Sequence, residues 1–205
     1  MFFVTLEQFG TIALLQVMQI PNLKPVFLRD QANKMYSPTA YYFAGWLSST
    51  MLAAFYPVMS GMFSFHFLAL ADSSNENFMR WISILMVSAL QGSSFGFMIG
   101  CISENIIAGI NWLQYTTMVF LFGSGIFINL KEGNTLVKIM GYCSPFRYTI
   151  EPMLRSLLSG LPYGDRICVG YDFTFRAKAV PIAIAVAGGL FVLGWIAIVV
   201  KSRRM

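Results

Sequence analysis

Charged residues are missing from long stretches of this chain. None lies between Lys34 and Asp72, between Arg80 and Glu104, between Glu104 and Lys131, or between Lys178 and Lys201. Each gap is rich in apolar residues and reaches the roughly 20 residues that a helix needs to cross a bilayer. A further apolar stretch, Met1 to Ile20, holds one charge, Glu7. The pattern predicts membrane spans near 1–20, 39–64, 81–103, 106–129 and 179–200. Helices are the expected form, because backbone polar groups in hydrocarbon must be satisfied within the segment and the runs exceed barrel strands in length. The predicted fold is all-α, a polytopic membrane helix bundle.

Between the fourth and fifth spans the pattern changes. Ser144-Pro145 is a helix start, a capping residue followed by proline at the first helical position. Apolar residues then recur at Ile150, Met153, Leu154, Leu157, Leu158 and Leu161, the spacing of one helical face. Glu151 and Arg155 stand four apart and can pair. This predicts a short amphipathic helix lying at, or dipping into, the outer interface, with loop from Gly160 to Tyr171. Pro57 is expected to kink the second span, and Ala185 and Gly189 form a small-xxx-small pair that permits close helix contact in the last.

Polar residues inside the spans are few. On the first, Thr5, Gln8, Thr11, Gln16 and Gln19 fall within an arc of roughly 140° at 100° per residue. Such a face either packs on other helices through hydrogen bonds or lines a pathway. His66 and Cys101 read as interfacial or packing residues, and no metal-ligand spacing is present. Cys143 and Cys168 could pair if both lie outside, though spacing alone gives no geometry.

Composition agrees: 57% of the 205 residues are hydrophobic and 11% charged, against about 25% charged in soluble domains. The net charge of +5 sits between spans rather than in a stripe, so nucleic acid is not an expected partner. The positive-inside rule places Lys24, Arg29 and Lys34, and the tail Lys201, Arg203 and Arg204, in the cytoplasm. The segment 131–178 is also net positive, with seven basic and four acidic residues, but longer segments obey the rule less strictly.

The stretch Ile20 to Phe43, IPNLKPVFLRDQANKMYSPTAYYF, leads a basic amphipathic segment through Met35-Tyr36-Ser37-Pro38 into an aromatic-rich span. It resembles the first intracellular loop of the G subfamily of ABC transporters, the white/brown type. Ser93-Ser94 and the run to Ile99 resemble that family's fourth membrane helix. Phe122-Gly123-Ser124-Gly125-Ile126-Phe127-Ile128-Asn129 resembles the end of its fifth. Ser144-Pro145-Phe146-Arg147-Tyr148, followed by Glu151, resembles its Ser-Pro-Phe-Arg-Tyr outer-loop motif. Leu23 replaces the family's acidic residue before the lysine, and Asp30 stands where glutamate is usual.

The resemblance implies that the whole of 1–205 is an ABC transporter membrane domain, incomplete in that it lacks the first of six spans and the ATP-binding domain. It implies a coupling loop (Lys24, Phe27, Arg29, Asp30, Tyr36) that docks on the ATPase. It implies a translocation path faced by Gln8, Thr11, Gln114 and Met118, and an apolar gate at Ile126 and Phe127. No G-x-x-x-x-G-K-[ST] phosphate cradle occurs in this sequence, so catalytic residues and cofactors are not expected in the chain itself. ATP and Mg would belong to a partner ATP-binding domain, on the same polypeptide or another. The other expected partners are the lipid bilayer and a second membrane domain, as homo- or heterodimer. The implied function is ATP-driven export of lipid-like, sterol or amphipathic organic substrates. The alternative is a structural or regulatory membrane subunit that pairs with a complete half-transporter and does not transport.

Overall fold

The computed structural model describes residues 2–67, 75–125, 134–158 and 179–203. Eight helices make up these residues: α1 Phe2–Ala32, α2 Pro38–Ala53, α3 Phe55–Phe67, α4 Asn75–Ile102, α5 Ile106–Gly123, α6 Thr135–Cys143, α7 Pro145–Leu158 and α8 Ala179–Arg203. Four of them, α1, α4, α5 and α8, are long and apolar enough to cross a membrane. The remaining predicted crossing, the second along the chain at 39–64, is divided. Ser37 caps α2 by accepting from the Ala40 amide at 3.2 Å, Pro38 opens it, and the helix stops at Ala53. The helical ladder is then interrupted at Ala54, three residues ahead of Pro57, whose ring and missing N–H deny α2 a clean continuation.

The two halves nonetheless serve as one crossing. Tyr42 packs edge-on to Phe97, Thr50 shares a hydrogen bond with Ser93, and the Trp81 indole donates to Ser64. Phe65 meets Phe78. The pair α2–α3 therefore runs antiparallel along α4 from Phe97 to Phe78. At 1.5 Å per residue that stretch rises roughly 28 Å, close to the hydrocarbon thickness.

α1 and α4 run parallel and form the spine. Ser88 donates to the Thr5 carbonyl at 2.9 Å. Gly92, Gly96 and Gly100 face Phe9, Ala13 and Ile20 in turn; without side chains, Gly92 and Gly96 let the two backbones touch and Gly100 leaves room for the Ile20 side chain. A Cβ on Gly92 would lie 2.5 Å from the Phe9 carbonyl oxygen. α8 also runs parallel to α4, through buried Ala179, Ala183 and Ala187 and a Gln91 amide donating to the Ala183 carbonyl. Small residues at such contacts are what lipid-embedded helices use in place of a hydrophobic driving force. The pair expected to do this, Ala185 and Gly189, is instead exposed, with nothing within 4 Å of a Cβ on Gly189. α8 turns its alanine face inward.

These directions bring the α1 C-terminus, the α2 N-terminus, the α4–α5 turn and the α8 C-terminus to one end, called here the basic end. The opposite end holds α6 and α7. The sequence pattern did not predict α6. Asn134 caps it, accepting from the Thr135 amide at 2.7 Å. α7 forms where predicted but does not lie on a surface. It inserts among α1, α4, α5 and α8, and Phe146 through Glu151 are all buried. Phe146 stands edge-on to Phe9 at 4.7 Å and joins a core of Phe9, Phe95, Leu113 and Ile150.

Candidate functional site

At the basic end α1 does not stop where its apolar stretch stops. It continues through Pro21 and Pro25 to Ala32 as one helix, so the span and the predicted coupling segment are a single body. Lys34 then adopts the left-handed conformation, φ 54°. Its N–H bonds to the Gln31 carbonyl at 3.0 Å, and that of Met35 to the Asp30 carbonyl at 3.2 Å. This is the Schellman closure of a helix C-terminus, built on lysine rather than glycine. It turns the chain back so that Tyr36 reaches α1 again.

The five residues predicted to form a coupling loop divide by their contacts. Lys24 reaches across to the end of α4 and donates to the carbonyls of Cys101, at 3.2 Å, and Ser103. A cation on the exposed carbonyls of a helix C-terminus also complements the helix dipole. Phe27 is buried and stacks on Tyr41 at 4.3 Å, with Tyr36 alongside. The Tyr36 hydroxyl donates to Asp30 at 3.1 Å. Burial first, then that hydrogen bond and the carboxylate's charge, hold the Tyr36 phenol above its ordinary pKa of 10. Arg29 alone of the five is exposed, flanked by exposed Leu23 and Val26. Sequence reasoning missed Tyr41 and Ser103, whose parts appear only when α1, α2 and α4 meet.

Replacing Lys24 with methionine keeps the stem but removes the bonds to α4. Hydrogen bonds to a charged group are worth about 1.5–3 kcal/mol, so the variant is expected to lower thermal stability in detergent by a few degrees. An unchanged melting curve would mean the tie contributes nothing.

The predicted path residues are placed apart within one chain. Gln8 is fully buried, its amide donating to Ser60 on α3. Thr11 is half-buried. Gln114 and Met118 stand exposed on α5, on a face that also carries Ile107, Tyr115 and Phe122. Of the rest of the α1 stripe, Thr5 and Gln16 are buried and Gln19 is exposed. Glu7 accepts from Tyr56 at 2.9 Å. Ile126 and Phe127, predicted as a gate, and Cys168 lie outside the described residues. Cys143 is an exposed free thiol.

The outer-loop motif is interior. Ser144 sits at the joint between α6 and α7 and donates to the Phe120 carbonyl at 2.6 Å, while Gly123 packs under Met140. Tyr148 donates to the Tyr142 carbonyl at 2.7 Å, and the Arg147 guanidinium lies over the Tyr142 ring at 4.9 Å. Pro145 and Phe146 are buried beside them. Arg147 and Glu151, one turn apart, are 2% and 1% exposed. Buried ionisable groups among membrane helices are costly and point to a specific task.

Residues 1–158 match the family described as ABC-2 type transporter. The chain is 22% identical over 150 residues to "Protein white" of Drosophila melanogaster, covering 73% of this chain and 22% of that protein. It is 28% identical over 168 residues to a "Probable ATP-dependent permease" of Saccharomyces cerevisiae, covering 81% and 16%. It is 22% identical over 205 residues to "ABC transporter G family member 1" of Dictyostelium discoideum, covering 90% and 26%. The chain thus spans about a quarter or less of the length of these relatives. A bundle of apolar helices with a basic end, matched over residues 1–158, identifies an integral, multi-pass membrane protein similar to white-type, G-subfamily transporters: the chain belongs to the ABC-2 type transporter family.

Proposed function

We propose that this chain is the membrane-spanning part of an ATP-driven exporter that moves lipid-like, sterol or amphipathic organic molecules. The observation that carries the reading is the unbroken run of α1 from its span into the exposed Leu23–Val26–Arg29 face. An ATP-binding domain pressing on that face would move a rigid lever rather than a loop. ATP and Mg would be held by that domain, on the same polypeptide or a separate one, and would supply the energy of hydrolysis.

The parts around the lever fit a transmission. α1 is joined to α4 by backbone contact at Gly92 and Gly96, by the Ile20 side chain against Gly100 and by Lys24 at its base. A push at the basic end therefore shifts α1 and α4 together. The break at Ala54 gives α2–α3 a place to bend. This is the geometry that alternating access between two nucleotide-biased states asks for.

The path would run between this domain and a second one, as homo- or heterodimer. Gln114 and Met118 would present from α5, with Gln8 and Thr11 from α1 and Ile126 and Phe127 as an apolar gate. Such a surface offers a few amides and hydroxyls in an apolar wall, which suits amphipathic molecules and is poor for ions or sugars.

The test is Arg29→Glu in the complete transporter. Arg29 is exposed, so folding and thermal stability should be unchanged. Substrate-stimulated ATP hydrolysis should fall severalfold while basal hydrolysis remains. Full stimulation in the variant would remove the coupling assignment.

A further inference from the structure

The five predicted spans carry a single charged residue. Glu7 stands on α1, while 39–64, 81–103, 106–129 and 179–200 hold no Asp, Glu, Lys or Arg. Its depth follows from the seam between α1 and α4. Gly92 faces Phe9 and the two helices run parallel, so Glu7 is level with Leu90. Leu90 is ten residues along α4 from Arg80, about 15 Å of helix rise, and Lys24 lies about 26 Å from Glu7 in the other direction. A hydrocarbon layer about 30 Å thick, centred between those two cations, leaves Glu7 about 10 Å below its outer boundary.

At that depth the carboxylate is exposed. Among the described residues it makes no ion pair. Its partner is the Tyr56 hydroxyl of α3, which donates at 2.9 Å, and Thr11 is in hydrogen-bonding reach of the same phenol. One neutral donor orients a carboxylate but does not replace its hydration. Ionisable groups at membrane depth avoid lipid by facing a cavity or a partner.

The neighbours show which way Glu7 faces. Gln8 follows it in sequence and bonds to Ser60 on α3, and Thr11 stands one turn along α1. Both belong to the path proposed above. Tyr56 also lines an apolar groove of about 400 Å³ on this flank, together with Leu15, Leu52 and Phe55. A fixed negative charge therefore stands beside apolar walls of small-molecule size. An inorganic ion would gain nothing from those walls, and a neutral molecule would gain nothing from the charge. An apolar body that carries a positive charge uses both.

We propose that Glu7 is the counter-charge that makes the path accept amphipathic organic cations. This rests on the path reading above and narrows its substrate class. The cation lies against the Glu7 carboxylate, which Tyr56 holds in place, and the apolar body lies along Leu15, Leu52 and Phe55. Glu7 is thus a specificity-determining residue, and Tyr56 a positioning one.

The experiment measures binding of radiolabelled tetraphenylphosphonium to the complete transporter in phosphatidylcholine nanodiscs without nucleotide, with empty discs subtracted. Tetraphenylborate, of the same shape and opposite charge, is the control. Saturable binding of the cation is expected, with competition by unlabelled cation and none by tetraphenylborate. Glu7→Gln keeps the size of an exposed side chain and should weaken the cation about tenfold with thermal stability unchanged. Glu7→Asp should restore most of the affinity, which separates charge from fold. Arg29→Glu, at the basic end, should leave binding unchanged. Binding that never saturates, that is equal in Glu7→Gln, or that tetraphenylborate competes away overturns the proposal. ATP-driven uptake into proteoliposomes reads the transport assignment separately: uptake with equal binding in Glu7→Gln leaves an exporter without this charge selection, and Glu7-dependent binding without uptake removes the exporter and keeps the cation site.

Discussion

Replacing Gly92 and Gly96 together with leucine is expected to abolish the folded bundle. At Gly92 a Cβ would sit 2.5 Å from the Phe9 carbonyl oxygen and 2.9 Å from its Cα. At Gly96 it would sit 2.6 Å from the Ala13 Cα. Overpacking usually costs 1–3 kcal/mol because neighbouring side chains give way. Here the neighbour at both positions is the backbone of α1, which can yield only by moving the whole helix. That movement would also break the Ser88 bond to Thr5 and the Lys24 bonds to α4. Two such insertions should exceed the roughly 5–15 kcal/mol that separates folded from unfolded domains. Gel filtration in mild detergent should show aggregate in place of a single species. Leucine at Gly188 and Gly189, where a Cβ meets nothing within 4 Å, should leave the protein within about 0.5 kcal/mol of its original stability. Equal behaviour of the two double variants would mean that α1 and α4 do not meet as described.

The spans were legible because a charge-free run of 20 residues has few other uses. The resemblance carried by Ile20–Phe43 pointed to the family that the match over 1–158 identifies. What the pattern could not give were the relations between helices. Gly92, Gly96 and Gly100 recur every fourth residue, yet the small-xxx-small pair read from the sequence was Ala185 and Gly189, which have the same spacing and face outward. Spacing marks a possible contact, and only the partner decides which seam is used. α6 was not predicted although Leu136, Ile139 and Met140 recur at helical spacing; all three remain exposed. α7 was read as amphipathic because its apolar residues recur on one helical face and Glu151 and Arg155 can pair. In the fold Arg147 and Glu151 are buried, and the period of one face became burial on nearly every side. Proline alone does not mark where a helix ends. Pro57 accompanies a true break, whereas Pro21 and Pro25 lie inside a continuous helix, where neighbouring helices compensate for the lost bonds.

Phe146→Ala is the sharpest test of how α7 is held. A helix lying at the interface would lose little from one ring, no more than the few tenths of a kcal/mol typical of surface changes. The structure gives Phe146 no exposure and sets it edge-on to Phe9, which in turn touches Phe95 at 5.6 Å. Phe95 reaches Phe120 at 5.4 Å, and the Phe120 carbonyl receives the Ser144 hydroxyl. One ring thus joins α7 to α1, α4 and α5 at once. Truncating buried phenylalanine costs about 3–5 kcal/mol in water-soluble cores. In a bilayer the solvation share shrinks, because lipid is as apolar as the core. The cavity and the lost contacts remain, so about 3 kcal/mol is the expected loss. Limited proteolysis should then cut within 144–158 in the variant and spare the original chain. Leu136→Ala, at an exposed position on α6, should change neither stability nor cleavage. If Phe146→Ala behaves like Leu136→Ala, α7 rests on the bundle instead of inside it. Arg147 and Glu151 would then be ordinary surface charges. If the loss is as large as expected, the bundle holds two ionisable groups in its interior through the packing of a single aromatic anchor.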